Sequence, residues 1–145
     1  MPFAPEAVRP RILVVEDDAM VLELITTRLE LAGFQTFYAR NGAEGLRRLG
    51  EVRPDGLILD INMPVMDGFE VLRQLKEDKS VQRPPTLVLT ARNRPEDVRN
   101  ALSLGARDYI AKPFNDEQLI ARTSRLVRKA APLSQATPAQ AAVRV

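Results

Sequence analysis

Cysteine and histidine are both absent from this 145-residue chain, and each absence removes a class of chemistry. Without cysteine there is no disulfide framework, thiolate metal site or thiol nucleophile. Without histidine the commonest general base and the commonest transition-metal ligand are missing. Any reaction must draw on carboxylates, hydroxyls, lysine and hard cations. Tryptophan is also absent and aromatics make up only 5%, so the core has to be built from Leu, Ile, Val and Ala. No apolar run approaches the roughly 20 residues of a membrane span. Residues 1–10 hold three prolines and no hydrophobic stretch, so they do not make a signal peptide. The expectation is a cytoplasmic protein with no membrane association. An excess of one charge is lacking too: 21 basic and 19 acidic side chains leave +2. The pI near 9.3 reflects how little titrates between about pH 5 and 9, and does not indicate nucleic-acid binding.

What is present suits one domain of ordinary size, with 45% hydrophobic residues for a core and 28% charged residues for its surface. From residue 11 to 129 short β-branched runs alternate with longer amphipathic ones. Ile12-Leu13-Val14-Val15 is a continuous apolar run, as expected of a strand buried on both faces. A helix follows in which Val21, Ile25 and Leu29 share a face, with Gly33 as its stop. Residues 35–39 read as a second strand. Asn41, with Glu44 three residues on, reads as the cap of a helix through about Glu51. Residues 56–60 form a third strand, and Phe69, Leu72 and Leu75 mark a short helix beginning near Asp67 or Gly68. Residues 86–90 form a fourth strand. Pro95 suits the first position of a helix running to Leu104, which Gly105 closes. Residues 108–111 are a short fifth strand, and Asn115 caps a last helix with Leu119, Leu126 and Val127 on its apolar side. Residues 1–10 read as a flexible segment. Residues 130–145, rich in Ala, Pro, Gln, Ser and Thr, read as a disordered tail or linker stub. No internal repeat is present.

Five strand–helix units in succession imply an α/β fold, a doubly wound parallel sheet with right-handed crossovers and five helices. The flavodoxin-like order 2-1-3-4-5 is expected, with the ligand site at the carboxyl ends of strands 1 and 3, where the order reverses. Strand 1 ends in Glu16-Asp17-Asp18, strand 3 in Asp60, strand 4 in Thr90-Ala91, and strand 5 runs into Lys112-Pro113. Strand 2 offers only Ala39 and Arg40, as suits the sheet's margin.

Clustered carboxylates repel one another unless a cation binds among them. With no His or Cys, Mg²⁺ is the natural choice. A lysine opposite the acids can neutralise an incoming anion and a threonine hydroxyl can donate to it. Such parts suit phosphoryl transfer, with a carboxylate as nucleophile. Taken singly, each residue has a blander reading. Glu16 and Asp17 could serve a helix N-terminus, and Asp18 is better read as an N-cap. Asp60 could be a turn residue, Thr90 a cap and Lys112 a solvated side chain. Their joint placement at four strand ends favours function.

Ile-Leu-Val-Val-Glu-Asp-Asp at 12–18, Leu-Ile-Leu-Asp-Ile-Asn-Met-Pro at 57–64, Met-Asp-Gly-Phe-Glu-Val-Leu at 66–72, Leu-Thr-Ala at 89–91 and Gly-Ala-Arg-Asp-Tyr-Ile-Ala-Lys-Pro-Phe at 105–114 resemble the receiver domains of bacterial response regulators. The resemblance covers residues 11–129, with every block in family order. It implies that Asp60 is the phospho-acceptor and that Asp17 ligates Mg²⁺ directly, Glu16 through water and Asn62 by its backbone carbonyl. It makes Lys112 the phosphate-pairing lysine, the peptide before Pro113 cis, Thr90 the switch hydroxyl and Tyr109 the aromatic that moves with it. The family's phosphodonor is a sensor histidine kinase or histidine phosphotransfer protein. Its output is a remade surface on the fourth helix, fifth strand and fifth helix, read by a downstream protein or a second copy. Catalysis is then limited to the chain's own phosphorylation and dephosphorylation. A haloacid-dehalogenase-like phosphatase usually has a second Asp two positions after its nucleophile, where this chain has Asn62. A binding-only pseudo-receiver is disfavoured by the complete set Glu16, Asp17, Asp60, Thr90 and Lys112. Arg122, Arg125, Arg128 and Lys129 form a basic series, but no recognition motif accompanies it. Direct DNA binding is not expected, and the series could instead meet an acidic protein.

Overall fold

The computed structural model describes residues 8–91 and 94–130. In chain order the elements are β1 (Arg11–Val15), α1 (Ala19–Leu31), β2 (Gln35–Ala39), α2 (Gly42–Val52), β3 (Gly56–Asp60), α3 (Gly68–Glu77), β4 (Thr86–Thr90), α4 (Pro95–Ser103), β5 (Asp108–Ala111) and α5 (Asp116–Ala130). The five strands are parallel and lie in the order β2-β1-β3-β4-β5, as the alternation of patterns implies. Among the described residues no helix is long and apolar enough to cross a membrane.

Side chains on a strand alternate between faces, and the central strands split the core into two layers. Leu13, Val15, Leu57, Leu59 and Val88 pack with Leu49 of α2, Phe69 and Leu72 of α3 and Ala101 of α4. Ile12, Val14, Ile58, Leu87 and Leu89 pack with Leu22, Ile25 and Leu29 of α1 and Leu119 and Leu126 of α5. Every residue of β3 and β4 is buried, whereas the marginal β2 has only Ala39 buried. On α1 the buried row is Leu22, Ile25 and Leu29, and Val21 lies partly buried at its flank. The expected face of Val21, Ile25 and Leu29 is thus present, widened by Leu22, whose three-residue spacing to Ile25 also fits the helical repeat.

Caps set the helix ends. Asn41 Oδ1 accepts from the Glu44 amide at 2.8 Å, and Glu44 Oε1 accepts in return from the Arg40 amide at 2.8 Å. Gly33 and Gly105 take φ of +99° and +105°. Beyond them the Phe34 amide donates to Leu29 O and the Ala106 amide to Ala101 O, each at 3.0 Å, the six-to-one bonds of Schellman endings. Helix α4 therefore stops at Ser103, with Leu104 as its cap. Two cations hold that end: Lys76 Nζ donates to Ser103 O at 3.2 Å and Arg83 Nη2 to Leu104 O at 2.6 Å. The other end of α4 begins at Pro95 with no side-chain cap, and Ala101 is its one buried residue. Asn115 Oδ1 accepts from the Gln118 amide at 2.7 Å at the start of α5. That helix extends one residue past the expected boundary, to Ala130. The expectations for residues 1–7 and 131–145 fall outside the described residues.

Candidate functional site

The parallel register decides which residues meet at the carboxyl edge. Val15 of β1 pairs with Leu59 of β3, Asp60 with Leu89 of β4, and Thr90 with Ala111 of β5. The next residues, Glu16 and Lys112, leave their strands at the same level. One carboxylate oxygen from each of Glu16, Asp17 and Asp60 lies within 4.8 Å of the others. Lys112 Nζ reaches Glu16 Oε1 at 2.9 Å and Asp60 Oδ1 at 3.3 Å. Glu16 and Asp60 are buried, at 0% and 1% exposure, as is Thr90.

The backbone orients both buried acids. The Asp18 amide donates to Glu16 Oε2 at 3.1 Å and the Asn62 amide to Asp60 Oδ1 at 3.1 Å. Asp18 itself faces away from the cluster's work: its Oδ1 accepts from the Met20 and Val21 amides at 2.9 and 3.2 Å, capping α1, as expected. The Lys112–Pro113 peptide is cis, as the resemblance implies. Tyr109 lies on β5 with its side chain turned outward, 36% exposed.

The electrostatics of the cluster follow from burial. Loss of water raises the Glu16 carboxyl above its ordinary range, against the hydrogen bonds from Lys112 and the Asp18 amide, and the neighbouring Asp60 adds to the rise. Burial and then the hydrogen bond with Glu16 raise Asp17. For Lys112 burial acts to lower the ammonium's pKa, but Glu16 and Asp60 outweigh it and raise it. Among the described residues Lys112 is the one cation paired with Glu16 and Asp60, against three carboxylates. An all-oxygen donor set without imidazole or thiolate fits a hard divalent cation.

Three contributors were not legible as site residues in the sequence. Arg40 is more than a marker of the sheet's margin, because its Nη2 donates to Asp17 O at 2.9 Å. Gly68 must be glycine for reasons of space: a Cβ there would lie 2.6 Å from Asp60 O and 2.8 Å from Ile61 Cα. Val65, in the loop between Asp60 and α3, holds φ +70° and is fully exposed, a strained conformation for a β-branched residue. The strained loop borders the carboxylate cluster.

The basic series on α5 is partly spoken for. Arg122 Nη1 donates to Asp108 Oδ1 at 2.7 Å and Arg125 Nη2 to Asp108 Oδ2 at 2.8 Å, tying α5 to β5. Burial acts to raise the Asp108 carboxyl. The Arg125 hydrogen bond, the Tyr109 amide and the charges of Arg122 and Arg125 outweigh it and hold that carboxyl below its ordinary range.

Comparison with known proteins agrees with this geometry. The family model for the response regulator receiver domain matches residues 12–124. Transcriptional regulatory protein PrrA of Mycobacterium tuberculosis is 46% identical over 121 residues, covering 83% of this chain and 51% of that protein. DNA-binding response regulator MtrA of the same species is 40% identical over 124 residues, covering 86% and 53%. Among solved structures, chemotaxis response regulator CheY4 of Vibrio cholerae superposes with a TM-score of 0.76 at 31% identity, over 82% of this chain and 99% of that one. The chain spans about half the length of the curated relatives it matches.

Proposed function

From the premise that this chain belongs to the response regulator receiver domain family, we propose that Asp60 is the residue through which it switches. The observation that carries this reading is the setting of Asp60. Its carboxylate is buried at the sheet's carboxyl edge, 3.3 Å from Lys112 Nζ and beside Glu16 and Asp17. A phosphohistidine on a sensor histidine kinase or histidine phosphotransfer protein is the donor. An Asp60 oxygen attacks phosphorus, the P–N bond breaks, and its electron pair returns to the imidazole. Lys112 neutralises one phosphoryl oxygen, and the Asn62 amide orients the attacking carboxylate. Glu16, Asp17, Asp60 and the Asn62 carbonyl would hold Mg²⁺, which when bound supplies further charge neutralisation at the phosphoryl oxygens.

A protein donor fits the rim of the site. Met20, 80% exposed and two residues past Asp18, and the fully exposed Val65, five residues past Asp60, offer apolar contacts to it. After transfer, Thr90 donates to the new phosphoryl group and Tyr109 turns inward, so that α4, β5 and α5 present a different face to a downstream protein or a second copy. The chain is a switch with no other substrate to turn over, and a cytoplasmic location belongs to the same proposal. MtrA is named as DNA-binding, and this chain covers 53% of it. We assign Arg122 and Arg125 to the Asp108 clamp and not to a phosphate backbone.

Incubation with Mg²⁺ and acetyl phosphate should add one phosphoryl mass to the wild-type chain and none to Asp60→Asn. Equal mass gain by both proteins would remove Asp60 from the mechanism.

A further inference from the structure

At the end of the sheet opposite the carboxylates, three incoming chain segments enclose a groove of about 780 Å³. Its walls include Arg53, Asp55, Arg83, Pro84, Pro85 and Arg107. Topology places them there: Arg53 and Asp55 precede β3, Arg83 to Pro85 precede β4, and Arg107 precedes β5, so all lie at the amino-terminal edge of the parallel strands.

Many arginines elsewhere have an acidic partner, among them Arg28 with Asp116, Arg73 with Glu70, and Arg122 and Arg125 with Asp108. Among the described residues, no carboxylate pairs with Arg53, Arg83 or Arg107. Among the described residues the one acid in the groove, Asp55, has its Oδ2 committed to the Arg11 amide at 2.8 Å. Arg83 is half-buried and packs over Gly105, with the Leu104 carbonyl as its acceptor. Burial lowers its pKa, and among the described residues no neighbouring anion offsets that. A partly desolvated guanidinium satisfied by a carbonyl alone gains from an anion within reach. Arg53 is fixed just past α2 in the left-handed region, φ +50°, by its amide's bond to Leu49 O at 3.0 Å. Pro84 and Pro85 make the wall between them stiff.

We propose that this groove is a second anion site, taking a small molecule that carries two or more phosphate groups. Arg53, Arg83 and Arg107 are its donors. Planar guanidinium forks match phosphate oxygens in pairs, and the volume is that of a small-molecule site. The proposal is independent of the phospho-acceptor assignment, since the two sets of residues sit at opposite ends of the strands.

The test is an amide-shift titration of the whole chain with pyrophosphate and, separately, with ADP, both without Mg²⁺. Saturable shifts are expected at residues 53, 83 and 107 with either compound. The double variant Arg53→Ala, Arg107→Ala should weaken them about tenfold or more. Both residues are exposed, so the fold survives their loss, and an unchanged spectrum elsewhere verifies it. Shifts confined to the neighbourhood of Lys112 would overturn the proposal, as would non-saturating shifts identical in the double variant. Saturation by a poly-glutamate peptide at lower concentration than by either phosphate compound would overturn the choice of ligand.

Discussion

Arg40 exerts two influences of opposite sign on the acidic cluster. Its positive charge disfavours a cation nearby, while its hydrogen bond to Asp17 O holds the loop that presents Asp17. Because the side chain is exposed, water and salt weaken the first influence more than the second. Arg40→Ala should therefore loosen Mg²⁺ binding several-fold in a calorimetric titration. Tighter binding by the variant would show that charge outweighs positioning. At this scale, legibility depended on how a residue acts. Glu16, Asp17, Asp60, Thr90 and Lys112 could be read because each ends a strand or follows its end within two residues, and strand ends follow from hydrophobic pattern. Arg40 could not, since its contribution is a side chain reaching across to another loop. Gly68 could not either, since its contribution is the space left for Asp60 O.

Elements were legible chiefly through their caps. Asn41 with Glu44, Gly33, Pro95, Gly105 and Asn115 each fix a helix end within a residue or so, because capping is local chemistry. What the helices present to one another was less legible. The arginine series on α5 reads as a free basic face, yet Asp108 of β5 engages Arg122 and Arg125. This clamp has a pH signature. A carboxyl held below its unfolded value contributes stability that is present above the ordinary aspartate range and is lost as pH falls through the lowered folded value. Replacing both arginines by glutamine should cost about 1 kcal/mol at neutral pH, given their partial exposure. The gap from wild type should close on acidification through that window. Urea unfolding of both proteins at neutral and acid pH measures this, and a constant gap would mean that the arginines act by packing alone.

At the level of the whole molecule, the sheet order and the two core layers were readable because a five-fold strand–helix alternation leaves few topologies. The site is mounted on that core: Asp60 directly follows Leu59, which is fully buried between the sheet and α3. Leu59→Ala should destabilise the fold by roughly 2–5 kcal/mol, seen as an earlier urea midpoint, and a loss well under 1 kcal/mol would mean that this layer repacks freely. One end of the molecule is built quite differently from the rest. Helix α4 is a beam fastened at its far end, where Lys76 and Arg83 grip its last carbonyls, while among the described residues its start at Pro95 has no side-chain cap. Nine residues rising about 1.5 Å each make an arm of roughly 13 Å, so a tilt of about 10° at the fastening swings the Pro95 end by ~2 Å. The two cations thus act as a fulcrum, converting a small angular change into a displacement longer than a carbon–carbon bond.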